Sequence, residues 1–426
     1  MTATRGRVRL SIRALACIPV FDCILNQINN ALHITLGSLS LLQTVRIPLL
    51  VALAGACLWR IVTRRGCLSA LSYAAPAVFA LVGTVIAKEL LDTETLAFSS
   101  LIAYGQLLYW VTVWSYVCIE CRNAEEATVL LYGVAAGSLL SAGSIVLGYC
   151  AGGLNPYTDD GVIASAGWFN TAKTITGVFL SGAIILLYLG SKRTSPIYQL
   201  LAIVCCACCI LTYARAGQVA LGLVIVWLLF WCISPLPHTG SKTVIRFLAF
   251  TALLAAITAP AVLRSQSFIA RWEDVRDGEN GGSGRAAFWR VAIEDYRKAR
   301  PAEALFGVGF DGMSEMLYSD YGTDIRHTHN DCLDMMLVGG VCGILWWAAL
   351  LIALGRSAAR QIRSAEGFAS VGLFLVFVCH GQLTGQLWGT DSMVAYTVGL
   401  ASLAAIKRNR QRTCATFSTT PVRRDG

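Results

Sequence analysis

The chain has 426 residues, 56% of them hydrophobic and 14% charged, with a mean hydropathy of +0.61 and a net charge of +9. A soluble globular chain does not carry that balance. Because the basic residues gather in short loops between apolar runs, the positive charge belongs to membrane topology and anionic headgroups rather than to nucleic acid.

The expected fold class is therefore all-α: a polytopic transmembrane helical bundle of about 12 spans, each near 20 residues because backbone polar groups must be satisfied internally in lipid. In chain order the spans run 14–34, 38–59, 68–87, 96–118, 128–150, 172–190, 197–213, 216–233, 245–263, 332–354, 367–386 and 391–406. Asp22, Asn26, Gln27, Asn29 and Asn30 interrupt the first, so a re-entrant or interfacial helix is the alternative there. No small-residue cleavage site follows a compact apolar run, which argues against a cleaved signal peptide. Arg5 to Arg13, Arg60, Arg64, Arg65, Lys192, Arg193, Lys242, Arg246, Arg356 to Arg363 and Lys407 to Arg412 fall on one side if both termini are cytoplasmic, with Lys88 the main exception. The resulting organisation is 1–263 as about nine spans, 264–331 as an extracytoplasmic loop, 332–406 as three spans and 407–426 as a basic cytoplasmic tail.

Sixteen cysteines suggest a disulfide framework until they are placed. Nearly all fall inside apolar segments, including Cys205, Cys206, Cys208 and Cys209, where thiols act as small hydrophobes. Cys118 and Cys121 have the CxxC spacing but no second pair, which argues against zinc.

Two polar segments have room for a folded element outside the membrane: 151–170 and the loop 264–331. Lys173 enters a span just after the first, as an anchor or as added positive charge. Arg215 stands in a break between two apolar runs, where a guanidinium either snorkels or binds a lipid-borne phosphate. In the large loop, Phe288, Val291, Ala292 and Tyr296 recur at helical spacing over 284–299, and Pro301 ends the pattern. An amphipathic helix at the membrane surface is expected, carrying Arg285 and Arg290 as candidates for the same phosphate role as Arg215. Gly307 to Gly312 match GxGxxG, but no βαβ unit surrounds them, so the glycines imply a tight turn instead of a dinucleotide site.

The loop closes on His327-Thr328-His329-Asn330-Asp331. Two imidazoles and a carboxylate suit zinc, but residues two apart do not share a helix face, which argues against a metal site. A histidine acting as general base is the functional reading. Asn330 and Asp331 also suit the N-terminus of the following helix.

The order of these features resembles the O-antigen ligase and polymerase superfamily: Arg285 and Trp289 on a helix, a Gly307-x-Gly309-Phe310 turn, His329-Asn330-x-x-Leu333, and Gly340 with Gly343 opening the next span. Arg215 resembles the family's Ser-Arg motif, with Ala214 in the serine position, and Gly167 to Asn170 resemble its Gly-Phe-x-Asn segment. The resemblance implies a GT-C-like fold and a metal-independent, inverting glycosyltransferase with no cofactor. Its donor would be a saccharide on undecaprenyl diphosphate, its acceptor a glycan such as lipid A core or a growing polysaccharide, and its place the periplasmic face of the bacterial inner membrane. It also implies that Arg215 and Arg285 bind the diphosphate and that His329 activates the acceptor hydroxyl. His327, Asn330, Lys173 and Arg290 are the accessory candidates. Segment 151–170 has no Arg or Lys, which favours a ligase over a repeat-unit polymerase. A flippase for lipid-linked sugars is the alternative from another class; it calls for inverted repeats and midplane charges, which the pattern lacks.

Overall fold

A computed structural model describes residues 8–32, 35–36, 39–63, 74–93, 96–150, 156–159, 162–165, 172–193, 195–233, 252–256, 258–259, 269, 272–273, 285–321, 327–360, 362 and 364–418. The N-terminal helices are α1 (Leu10–Leu32), α2 (Leu41–Thr63), α3 (Ala74–Thr93), α4 (Phe98–Glu120), α5 (Ala124–Cys150), α6 (Ala172–Arg193), α7 (Pro196–Leu211) and α8 (Arg215–Ile233). Short helices α9 (Arg285–Lys298), α10 (Pro301–Phe306) and α11 (Gly309–Tyr321) belong to the large loop. The chain then continues as α12 (Asp331–Ala359), α13 (Ala365–Thr384) and α14 (Thr390–Ser418). Two antiparallel hairpins, β1 (Thr35–Leu36) with β2 (Leu39–Ser40) and β3 (Pro156–Asp159) with β4 (Val162–Ser165), complete the described elements. All the expected apolar segments fall on these helices except 245–263, most of which lies outside the described residues.

Six helices, α2, α4, α5, α6, α12 and α13, are long and apolar enough to cross a membrane, and α7 and α8 are shorter apolar helices. The chain is a multi-pass membrane protein. The polar residues of the first segment do not break it. α1 runs continuously through Pro19 and Asp22, and Asp22 accepts a bond from Arg46 Nε at 3.2 Å while Arg46 also pairs with Asp391 at the start of α14. A cation shared by two carboxylates offsets much of the cost of holding these charges away from water. α1 meets α5 at Gly133 and Gly137, where a β-carbon would collide with the backbone of Ala16 and Pro19. This small-xxx-small spacing lets the helix backbones approach closely.

Among the described residues, Arg9, Arg60, Lys192 and Lys407 gather at one end of the bundle, while Arg5, Arg7, Arg64, Arg65, Lys242 and Arg246 lie outside the described residues. Arg9 and Arg60 both pair with Glu120 at the end of α4, and Arg9 also pairs with Glu126 in the first turn of α5. Lys192, at the end of α6, sits 2.9 Å from Glu366 in the first turn of α13. Lys407 of α14 donates to the carbonyl of Arg360 just past α12. Cys118 and Cys121 lie at this end too, buried and unlinked, and Cys205, Cys206, Cys208 and Cys209 are buried thiols in α7.

The loop helices occupy the other end. Ala292 is 1% exposed, and Arg290, Glu294 and Arg297 face outward, as the amphipathic pattern requires, with Ile293 exposed among them. The inner face of α9 packs on α11 and α12. α9 ends at Lys298, and Pro301 opens α10 at a position where its missing N–H costs nothing.

Gly307 and Gly309 have φ of +79° and +80°, and Val308 between them donates to the Leu337 carbonyl at 2.7 Å. A side chain at Gly309 would overlap the carboxylate of Glu89, which accepts from the Tyr104 hydroxyl at 2.9 Å; that hydroxyl accepts from the Phe310 N–H. Gly309→Ala is expected to cost about 1–3 kcal/mol for the left-handed backbone alone. A lower melting temperature in detergent and faster proteolysis within α11 should follow; a wild-type melting curve would contradict this account of the turn.

One expectation needs correction. Segment 332–354 was expected as a single span, but Gly340, at φ +59° and ψ −149°, breaks α12. Gly343 lies against the backbone of Met335, which a straight helix would hold about 12 Å away. Residues 331–339 thus form a separate segment that turns sharply into 341–359. α10 fills the bend: the Ala304 carbonyl is 2.6 Å from the position a Gly340 β-carbon would take.

Candidate functional site

The residues singled out at the end of the loop form a tight turn at the start of α12. Asn330 is the N-cap, its Oδ1 accepting from the N–H groups of Cys332 and Leu333 at 3.0 and 3.1 Å. His329 sits before it at φ +59°, a left-handed backbone that costs energy for a residue with a side chain. The rings of His327 and His329 pack edge to face with centroids 4.2 Å apart, and His327 Nδ1 accepts from the His329 N–H at 3.2 Å. Trp289 of α9 donates to the Thr328 carbonyl at 3.1 Å, tying the loop helix to the turn.

Three of the candidate side chains converge on the last turn of α13. Asn330 Nδ2 donates to the carbonyl of Gln382 at 3.2 Å, Arg285 donates to that of Leu383, and His329 Nδ1 is 3.2 Å from that of Thr384. The final carbonyls of a helix have no intrahelical partner and carry partial negative charge, so they attract such donors. The His329 contact has a chemical consequence. A carbonyl can only accept, so Nδ1 carries the proton of the neutral ring and the lone pair lies on Nε2.

Two carboxylates hold this arrangement: Asp331, which the sequence offered as a helix-start residue, and Asp334, which it did not single out. Asp334 Oδ1 accepts from the Thr328 N–H and hydroxyl at 2.7 and 2.6 Å, and its Oδ2 accepts from Trp388 Nε1 at 2.9 Å. Asp331 Oδ1 accepts from the Leu387 N–H at 2.8 Å. Both are fully buried. Together they lock the α13–α14 connection, whose Gly385 is left-handed, against the start of α12. Ionisable residues inside an apolar run were the available signal. His380, also buried, belongs to the same set: it lies between the Thr176 hydroxyl of α6 and the Tyr396 hydroxyl of α14, at 2.9 Å from each.

Arg215 and Lys173 stand at the starts of α8 and α6, the two helices that meet at Thr176, the partner of His380. The break expected near Arg215 is present: α7 ends at Leu211, Tyr213 has φ +55°, and Arg215 is the first residue of α8. Gly217 lies against Thr176, the hydrogen-bond partner of His380, and Gln218 accepts from the loop residue Trp272 at 3.0 Å. Lys173 is in the first turn of α6, one turn before Thr176. Arg290 lies on the exposed face of α9 and is not brought to the point that Arg285 reaches.

Residues 200–348 match the family model described as O-Antigen ligase. This match supports the O-antigen ligase superfamily for that stretch of the chain. Among curated proteins none matches the chain. The match supports a membrane transferase that takes a lipid-linked saccharide and a glycan acceptor in general.

The O-antigen ligase domain so matched contains Arg215, Arg285, Arg290, His327, His329 and Asn330, and also Asp331 and Asp334. The α13 carbonyls that receive Asn330, Arg285 and His329 lie beyond it, as do Lys173, Thr176 and His380 before and after. Three of the domain's candidate side chains, Asn330, Arg285 and His329, are therefore anchored on a helix outside the domain.

Proposed function

We propose that this chain transfers a saccharide from undecaprenyl diphosphate to a glycan acceptor at the periplasmic face of the bacterial inner membrane, as a ligase-type, metal-independent glycosyltransferase. In this reading the bundle has about twelve spans with both termini cytoplasmic. His329 is the general base, Arg215 and Arg285 bind the diphosphate, and Lys173 adds positive charge to the same site.

The observation that carries the reading is the His329 Nδ1 contact with the Thr384 carbonyl, which presents Nε2 as the basic nitrogen. The acceptor's hydroxyl proton passes to Nε2 as its oxygen attacks the sugar carbon, and the bond to the diphosphate breaks with the electron pair leaving on phosphate oxygen. Negative charge grows on that leaving group. Fixed cations stabilise it most in the transition state, and the N-terminus of α8 adds potential of the same sign as Arg215. The donor is already activated, so no nucleotide is needed. A ligase is favoured over a repeat-unit polymerase because the smaller polar segment carries a short hairpin, β3–β4, and its sequence has no arginine.

The test is complementation of a strain lacking the protein, with surface glycan and lipid-linked intermediates resolved on gels. Long chains stranded on undecaprenyl diphosphate in the Arg285→Ala strain mark a ligase, and single stranded repeats mark a polymerase. Arg285→Lys keeps the charge but not the planar fork, and is expected to restore only a minor part of the transfer. Unchanged glycan in both Arg285 variants would remove the diphosphate role.

A further inference from the structure

A cavity of about 670 Å³ opens between the loop helices, the end of α3 and the start of α4, well within the size range of ligand sites. None of the proposed catalytic or diphosphate-binding residues lines it. Its walls carry charges of both signs, among them Lys88, Asp295, Lys298 and Glu315. Val308, Met316 and Leu337 supply apolar surface, and Tyr296 contributes an aromatic wall.

That mixture points to a particular ligand chemistry. A polyanion would meet the carboxylates unfavourably, and a lipid tail would strip water from charges on every side. A hydroxyl-rich ligand with apolar C–H faces suits both, because carboxylates accept from hydroxyls, ammonium groups donate to them, and the apolar surface takes the ring faces.

The position of the cavity matters as much as its lining. α9 serves both places: near its start, Trp289 reaches the turn at His329 and Arg285 the α13 end that His329 also touches, while Asp295, Tyr296 and Lys298, near its end, face the cavity. The eleven steps from Arg285 to Tyr296 span about 16 Å of helix. Leu337, in the cavity wall, lies one turn beyond Asp334, which holds the His329 turn in place. A short oligosaccharide seated in the cavity can thus extend towards His329 along one rigid helix.

We propose that this cavity is a saccharide-binding subsite that seats sugar units of a glycan whose reacting unit lies at His329. The assignment rests on the transferase reading above. The glycan can belong to the donor or to the acceptor, and the two are separable by experiment.

The full chain in nanodiscs is titrated with two probes, each followed by saturation-transfer NMR. One is the oligosaccharide released by mild acid from the host's lipid-linked donor, the other the oligosaccharide released from its surface acceptor glycan. One probe is expected to bind wild type and His329→Asn alike. Glu315→Trp, which places an indole at the exposed rim, and Lys298→Ser should each weaken that binding, the former at least tenfold, with melting temperatures at the wild-type value. In transfer assays the same variants should raise KM for the substrate that carries the bound glycan, and so identify it as donor or acceptor. Binding of neither probe to wild type, or equal binding by wild type and both cavity variants, overturns the subsite. The transferase reading fails separately: if His329→Asn keeps full transfer while the cavity variants lose binding, the base is wrong and the saccharide site stands.

Discussion

Replacing His329 with asparagine is expected to lower saccharide transfer by about 100- to 10,000-fold, the usual worth of a positioned general base. Asparagine is the informative choice. His329 sits at φ +59°, a conformation that asparagine tolerates better than alanine does, so the turn is kept while the basic nitrogen is lost. The bond to the Thr384 carbonyl can be remade by the asparagine amide, which donates as Nδ1 does. Lipid-linked donor should accumulate at wild-type protein levels, measured as turnover of radiolabelled donor in membranes. His329→Ala should be at least as inactive, with an added loss of stability from the strained backbone. Transfer by His329→Asn within threefold of wild type would remove the base assignment and shift attention to His327, whose ring packs against it.

Asp334→Ala is expected to remove both activity and a large part of the stability of the α12 start. One buried carboxylate receives the Thr328 N–H, the Thr328 hydroxyl and the Trp388 indole N–H. Leaving a buried polar group unsatisfied costs about 1–3 kcal/mol, so the alanine variant faces several kcal/mol in total. The loss spreads to the site because Thr328 lies between the two histidines and its carbonyl receives Trp289. Asp334→Asn should be milder in shape but not in chemistry: whichever way the amide turns, its NH₂ faces a donor. Thermal unfolding in detergent, read by tryptophan fluorescence, should rank wild type above Asp334→Asn above Asp334→Ala, with transfer in the same order. A stable, active Asp334→Ala protein would show that the turn is held from elsewhere.

Much of the site was legible in the sequence because its signals are local. The cap at Asn330, the amphipathic face of α9 around Ala292 and the tight turn at Gly307 and Gly309 all follow from side-chain spacing or backbone freedom over a few residues. The charge asymmetry was legible as well, since Arg9, Arg60 and Lys192 find their carboxylates at one end of the bundle. The bend at Gly340 was not. Hydropathy runs unbroken through 335–354, and what fills the bend is α10, which presses a backbone carbonyl into it, a contact between segments distant in sequence. Asp334 and His380 were visible as polar residues in apolar runs, but their partners lie on other helices. The meeting point of Asn330, Arg285 and His329 was hidden for a different reason: it consists of backbone carbonyls, which every residue possesses.

Those carbonyls carry a genetic consequence. Gln382 and Leu383 serve the site through atoms that substitution does not change, so a saturation screen should find both positions permissive to helix-forming residues. The neighbours should behave oppositely. A side chain at Gly381 would overlap Asp331, and one at Gly385 would crowd His327 and His329 from a left-handed backbone. A tolerant pair set between two intolerant glycines would be the signature of a functional anchor built from the main chain, in a place where variation by itself would suggest that nothing of importance is held.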